Sequence, residues 1–97
     1  MGKLSRAKIA EMATICDLLS DQTRVRVIDM LSQSRVPLSV RHIAESIDMS
    51  PSATSHMLGA LFRGGVVENG RDGREKLYYI AKTPQGKKAL KVVQVLS

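Results

Sequence analysis

The side chains able to do chemistry in this 97-residue chain fall in two short stretches, and their chemistry is recognition of an anion or a base edge. The first stretch is Ser52, Thr54, Ser55 and His56, with Arg63 further along and Arg41 in the segment before it. Short hydroxyls, an imidazole and guanidinium groups near the start of a helix can hydrogen-bond base edges and phosphates, and the free N–H groups there favour anions. The second stretch is Arg71-Asp72-Gly73-Arg74 with Lys76. Cations around such a turn fit phosphates or the narrow minor groove. The plainer readings are a histidine that binds nothing and a charged turn that only solubilises the chain.

Bond-making chemistry finds no support. There is no Ser/His/Asp or Cys/His arrangement and no pair of carboxylates, and Gly64-Gly65 lacks the lysine of a phosphate loop. No enzyme and no cofactor are expected. The single cysteine, Cys16, excludes an intrachain disulfide framework and any cysteine-built zinc site. Cys16 lies on an apolar stripe, so buried packing is its default. A redox role, through an intersubunit disulfide, is its alternative.

Charge says more than size. The chain carries +6, unevenly spread. Met1 to Phe62 holds seven basic and six acidic residues, whereas Arg63 to Ser97 holds eight basic and three acidic. A basic segment on a balanced body suggests a polyanion partner. One Phe, two Tyr and no Trp are too few for a single-strand stacking platform, and adjacent Tyr78 and Tyr79 would face opposite sides of a strand. Duplex DNA is the better candidate. The longest apolar run, Met57 to Phe62, is six residues, so no membrane segment is expected. Charges at Lys3, Arg6, Lys8 and Glu11 speak against a leader, and the expected setting is cytoplasmic.

The elements that must hold these residues can be read from caps and periodicity, within one domain spanning 1–97. Apolar residues at helical spacing predict a helix over 4–19, and Ser20-Asp21 caps a second that ends near Val36-Pro37. Ser39 caps a short third helix to about Ile47, and Ser50-Pro51 opens a fourth over 51–63 that Gly64-Gly65 stops. Two short helices joined by about three residues form a helix-turn-helix candidate. Residues 66–80 predict a hairpin turning at Asp72-Gly73, with Asn69-Gly70 as a twist or bulge. Thr83-Pro84 opens a last helix over 84–96. The fold class is mainly α with a small β-hairpin, order α-α-α-α-β-β-α, a winged helix-turn-helix.

Three stretches resemble one known family. Leu18 to Ile28 (LLSDQTRVRVI) is similar to the signature that precedes the helix-turn-helix in ArsR/SmtB-type repressors. Ser50 to Leu58 (SPSATSHML) resembles their recognition helix, and Gly64-Gly65-Val66-Val67 their exit into the wing. The wing itself, with Thr83-Pro84-Gln85-Gly86 after it, looks closer to the MarR family. The resemblance implies a homodimeric repressor reading an inverted-repeat operator, with 51–63 in the major groove and 66–80 on backbone or minor groove. Ser52, His56, Gly59 and Arg63 then share one face, opposite Leu58, Leu61 and Phe62. Thr54 stands where the family is usually apolar, so it is either a contact or half-buried core.

Two terminal helices with apolar stripes exceed what four elements can bury, and in the family they form the dimer interface. Ile9, Met12, Ile15, Leu90, Val93 and Leu96 are the residues expected there. Metal sensors of the family use a Cys-x-Cys pair or ligands on the last helix. Pro84 to Ser97 has no Asp, Glu, His or Cys, and the only histidines are His42 and His56. No metal of a known family type is therefore expected. The alternatives are a MarR-like regulator responding to a small molecule or to oxidation at Cys16, and a winged helix that binds protein without DNA. Such interaction modules tend to lose the basic wing, which is present here.

Overall fold

The computed structural model describes residues 2–97. Five helices and three strands follow in the order α1 (Arg6–Leu18), α2 (Gln22–Gln33), β1 (Leu38–Ser39), α3 (Val40–Ile47), α4 (Pro51–Arg63), β2 (Val67–Asp72), β3 (Glu75–Ile80), α5 (Pro84–Leu96). Each helix begins on a side-chain cap. Ser5, Asp21, Ser39, Ser50 and Thr83 accept from the N–H three residues on, which satisfies one otherwise orphaned donor per helix. Pro51 and Pro84 occupy the first helical turn, where a missing N–H costs nothing.

One element has no signal in the sequence. Leu38 and Ser39 pair with Tyr78 and Leu77, making the hairpin a three-stranded antiparallel sheet of order β1-β3-β2. This strand is only two residues long and exists because β3 offers it a ladder. The hairpin turn also sits one residue later than expected. Asp72 pairs with Glu75, so Gly73 and Arg74 are the two turn residues. Gly73 takes φ +63 while Arg74 stays negative, the pattern of a turn with glycine in its first central position. Asn69 and Gly70 pair in unbroken register with Tyr78 and Leu77, so of the twist or bulge expected there the bulge does not form.

The core lies between α2, α3, α4 and the sheet. Val27, Ile28, Ile43, Leu58, Leu61 and Val66 are fully buried and Tyr78 nearly so. α5 closes it from behind through Ala89, and a Cβ at Gly86 would lie 2.2 Å from the Ala81 carbonyl oxygen. That close approach fixes glycine at 86 and seats α5 against the end of β3. Between α3 and α4 the chain reverses in three residues, with Asp48 in the left-handed region at φ 55 and the Met49 N–H donating to the Ala44 carbonyl. The Arg26 guanidinium donates to the Ser46 carbonyl from α2, which ties α3 to the body of the domain.

α1 is the least embedded element. Only Ile15 and Leu18, at its C-terminal half, reach the core. The Arg24 guanidinium donates to the carbonyls of Asp17 and Leu18, which fastens that end to α2. Further out, Lys88 of α5 is hydrogen-bonded to the Glu11 carboxylate. This bond holds the Glu11 carboxyl below the ordinary glutamate range, against a smaller opposing push from burial. Its stabilising effect is complete above that ordinary range and is lost as pH falls through the lowered value.

Candidate DNA interface

α4 divides cleanly into two faces. Thr54, Met57, Leu58 and Leu61 are buried, while Ser52, Ser55, His56, Phe62 and Arg63 are exposed. The buried set spans the i, i+3, i+4, i+7 spacing of one side, so the exposed side must carry the short polar residues. The N-terminal turn is open as well as polar. Pro51 has no N–H, Ala53 and Thr54 donate to Ser50, and the Ser52 N–H has no acceptor among the described residues. A hydroxyl, an imidazole and a free backbone donor thus stand together at a helix start.

Arg63 reaches this face from the far end. Its Nη1 lies 3.2 Å from where a Cβ on Gly59 would be, so the guanidinium folds back over the glycine toward the helix N-terminus. The absent side chain at 59 therefore makes room for a cation from within the chain. No carboxylate occurs anywhere on α4.

Two expectations for α4 are corrected. Thr54, expected among the candidate contacts, is 0% exposed and cannot touch a ligand. Its hydroxyl donates 2.8 Å to the Ser50 carbonyl, which lets a polar residue replace an apolar one in the core. Thr54→Val should consequently leave duplex affinity within about two-fold of wild type and shift stability by no more than about one kcal/mol. Anisotropy titration and urea unfolding check both, and a large affinity loss at unchanged stability would contradict the assignment. Phe62, expected on the side of Leu58 and Leu61, is instead 46% exposed, beside Arg63 on the open side.

The wing sorts its charges by face. Arg71 pairs directly with Lys76, and the next pair toward the turn is Asp72 with Glu75. Side chains alternate along a strand, so the two cations share one face and the two carboxylates the other. Like charges directly opposite each other destabilise a hairpin. On the acidic side Glu75 is held by Arg41 at 3.2 Å, which joins the wing to the start of α3. Arg41 is thus engaged with a protein carboxylate, an arrangement no sequence spacing announced. Arg71, Lys76 and the turn residue Arg74 are exposed and form no ion pair among the described residues.

Behind the helix-turn-helix, α1 and α5 leave a groove of about 580 Å³, lined by Met12, Ile15, Cys16, Val92, Val95 and Leu96, with Lys8, Lys88 and Lys91 also bordering it. Cys16 is exposed here, not buried as expected. Of the residues assigned to a dimer contact, Ile9, Met12 and Leu96 are at least half exposed. The others are used inside the protomer. Ile15 is 5% exposed and belongs to the core, Val93 packs against it, and Leu90 lies on the opposite side of α5 beside Leu31 and Ile80. Val95, 71% exposed and absent from the expected set, sits next to Leu96.

His42 and His56 both lie exposed on their helices. Among the described residues no three His, Cys, Asp or Glu side chains converge on a point. No helix there is long and apolar enough to cross a membrane.

Comparison with known proteins places this geometry. The model of bacterial regulatory proteins of the arsR family matches residues 21–69, half of the chain. The cadmium resistance transcriptional regulatory protein CadC of Listeria innocua is 33% identical over 79 residues, covering 81% of this chain and 66% of the relative. The transcriptional regulator NmtR of Mycobacterium tuberculosis is 34% identical over 74 residues, covering 76% of this chain and 60% of NmtR. This chain thus spans slightly under two thirds of the curated relatives it matches. Among solved structures, a homodimeric winged helix-turn-helix DNA-binding domain, Mb0332 from Mycobacterium bovis, superposes with TM-score 0.78 at 30% identity, over 99% of this chain and 89% of that one.

Proposed function

The chain belongs to the ArsR family of bacterial regulatory proteins, and on that premise we propose that it is a homodimeric repressor of transcription that reads an inverted-repeat duplex operator. The family is one of regulators rather than enzymes. Its match runs from the cap of α2 into the first wing strand, and the relatives found are ArsR-type regulators, so the MarR-like alternative is not favoured. In this reading α4 enters the major groove. Ser52, Ser55 and His56 meet base edges, and Arg63 meets phosphate from above Gly59. Arg71, Arg74 and Lys76 lie on backbone or minor groove.

The observation that carries the proposal is the Arg71–Lys76 pair. A hairpin that sets two cations opposite each other, with their carboxylates turned to the other face, gives up stability unless a polyanion supplies the missing charge. A recognition helix without a carboxylate, beside a wing face that bears Arg71 and Lys76, is also what a protein-binding winged helix has no need to keep. Binding should favour duplex over single strands, and log affinity should fall with log salt at about 0.9 per phosphate contacted. Equal affinity for both, or a flat salt dependence, would contradict it.

The dimer forms through the α1–α5 groove, with Ile9, Met12, Val95 and Leu96 as its apolar contacts and Cys16 inside it. Ligands for a metal are a separate matter. CadC is named for cadmium resistance, but the present chain brings no three ligands together among its described residues, and coordination needs three or four. Titrating zinc, cadmium or arsenite into the protein–operator complex should leave DNA bound. Stoichiometric release by any of them would overturn this part.

A further inference from the structure

A second cleft opens on the other side of α5 from the groove assigned to the dimer. It measures about 520 Å³ and lies where the end of α2, the turn after it, the end of β3 and α5 meet. Leu31, Val36, Ile80 and Leu90 supply apolar surface from four separate segments. The charged groups lining it are Arg35 and Lys82, both exposed, with no carboxylate beside them. Neither forms an ion pair, since the pairs among the described residues are Arg41 with Glu75 and Lys88 with Glu11. Tyr79 borders the cleft too, and its cross-strand partner Glu68 stands outside the lining.

Concave, mostly apolar sites with a few placed charges are the form that small-molecule sites take. Two uncompensated cations at an apolar wall concentrate positive potential there. A polyanion backbone would leave the apolar surface unused, and an apolar ligand would leave the cations unused. We propose that this cleft binds an amphipathic carboxylate. Arg35 and Lys82 take the carboxylate by charge-assisted hydrogen bonds, and the hydrocarbon body covers Leu31, Val36, Ile80 and Leu90. One such molecule would touch the root of the wing and the helix used for dimerisation together. Binding at this cleft requires no DNA.

The test is a two-dimensional NMR titration of the full chain with sodium octanoate, kept below its aggregation concentration, and with neutral octanamide. Saturable shifts are expected at Leu31, Tyr79, Ile80 and Leu90. Octanamide should bind about ten-fold or more weaker, and the double variant R35Q/K82Q should lose octanoate by a similar factor. Both substituted side chains are exposed, and the spectrum of the variant reports its fold directly. Shifts centred on Met12, Val92 and Leu96 would place the ligand in the α1–α5 groove and overturn the proposal. So would equal binding of octanamide, undiminished binding by R35Q/K82Q, or no saturable shift at all.

Discussion

V95D/L96D should sediment as a folded monomer of 10.6 kDa and lose about a hundred-fold or more in affinity for a two-fold operator. Val95 and Leu96 are 71% and 80% exposed, so the protomer core does not depend on them. Two half-sites bound by linked copies gain from effective concentration, and a monomer forfeits that gain while its hold on each half-site survives. Affinity for an isolated half-site should therefore change little, which separates failure to dimerise from failure to recognise DNA. Deleting α5 after Thr83 is not an equivalent test, because it also removes the buried Gly86 and Ala89. A wild-type chain sedimenting only at 10.6 kDa would contradict dimerisation, and a variant sedimenting like a dimeric wild type would contradict the α1–α5 contact.

His56→Ala and Lys76→Ala should fail in different ways. With His56 assigned to a base edge, removing its imidazole should cost about 1–3 kcal/mol, and the cost should fall on the cognate site. With Lys76 assigned to phosphate, its removal should weaken cognate and random duplex alike and lower the salt slope by about one unit. The hairpin adds a signature of its own. Removing one member of the Arg71–Lys76 pair relieves a like-charge repulsion, so K76A should be more stable to urea by about 0.2–1 kcal/mol while binding DNA less well. Affinities for operator and scrambled duplex across a salt series, with unfolding curves, measure all three effects. Proportional losses for H56A and K76A would show that the groove assignment is wrong.

The helices were legible because their signals are local. Asp21, Ser39, Ser50 and Thr83 announce starts by their own chemistry, and α4 runs over the residues that Ser50-Pro51 and Gly64 delimit. What escaped was set by partners distant in sequence. β1 has no strand signal in two residues and forms only because β3 is beside it. The Arg41–Glu75 ion pair joins residues 34 positions apart. Helical periodicity gives the middle of a stripe well and its margins poorly, since neighbours differ by about 100° around the axis. Ile15 and Cys16 fell on opposite sides of that margin, as did Leu61 and Phe62. Thr54 misled for another reason. Its hydroxyl suggested a ligand, whereas the Ser50 carbonyl that opens the same helix already satisfies it.

The most direct test of the central claim is selection of bound sequences from a random duplex library by the full chain, followed by sequencing. A dimer presenting two copies of α4 to successive major grooves predicts an enriched inverted repeat, with half-site centres about one helical turn apart. Enrichment of a single unpaired half-site would contradict the dimeric reading. No enrichment over the starting library would contradict sequence-specific recognition by α4.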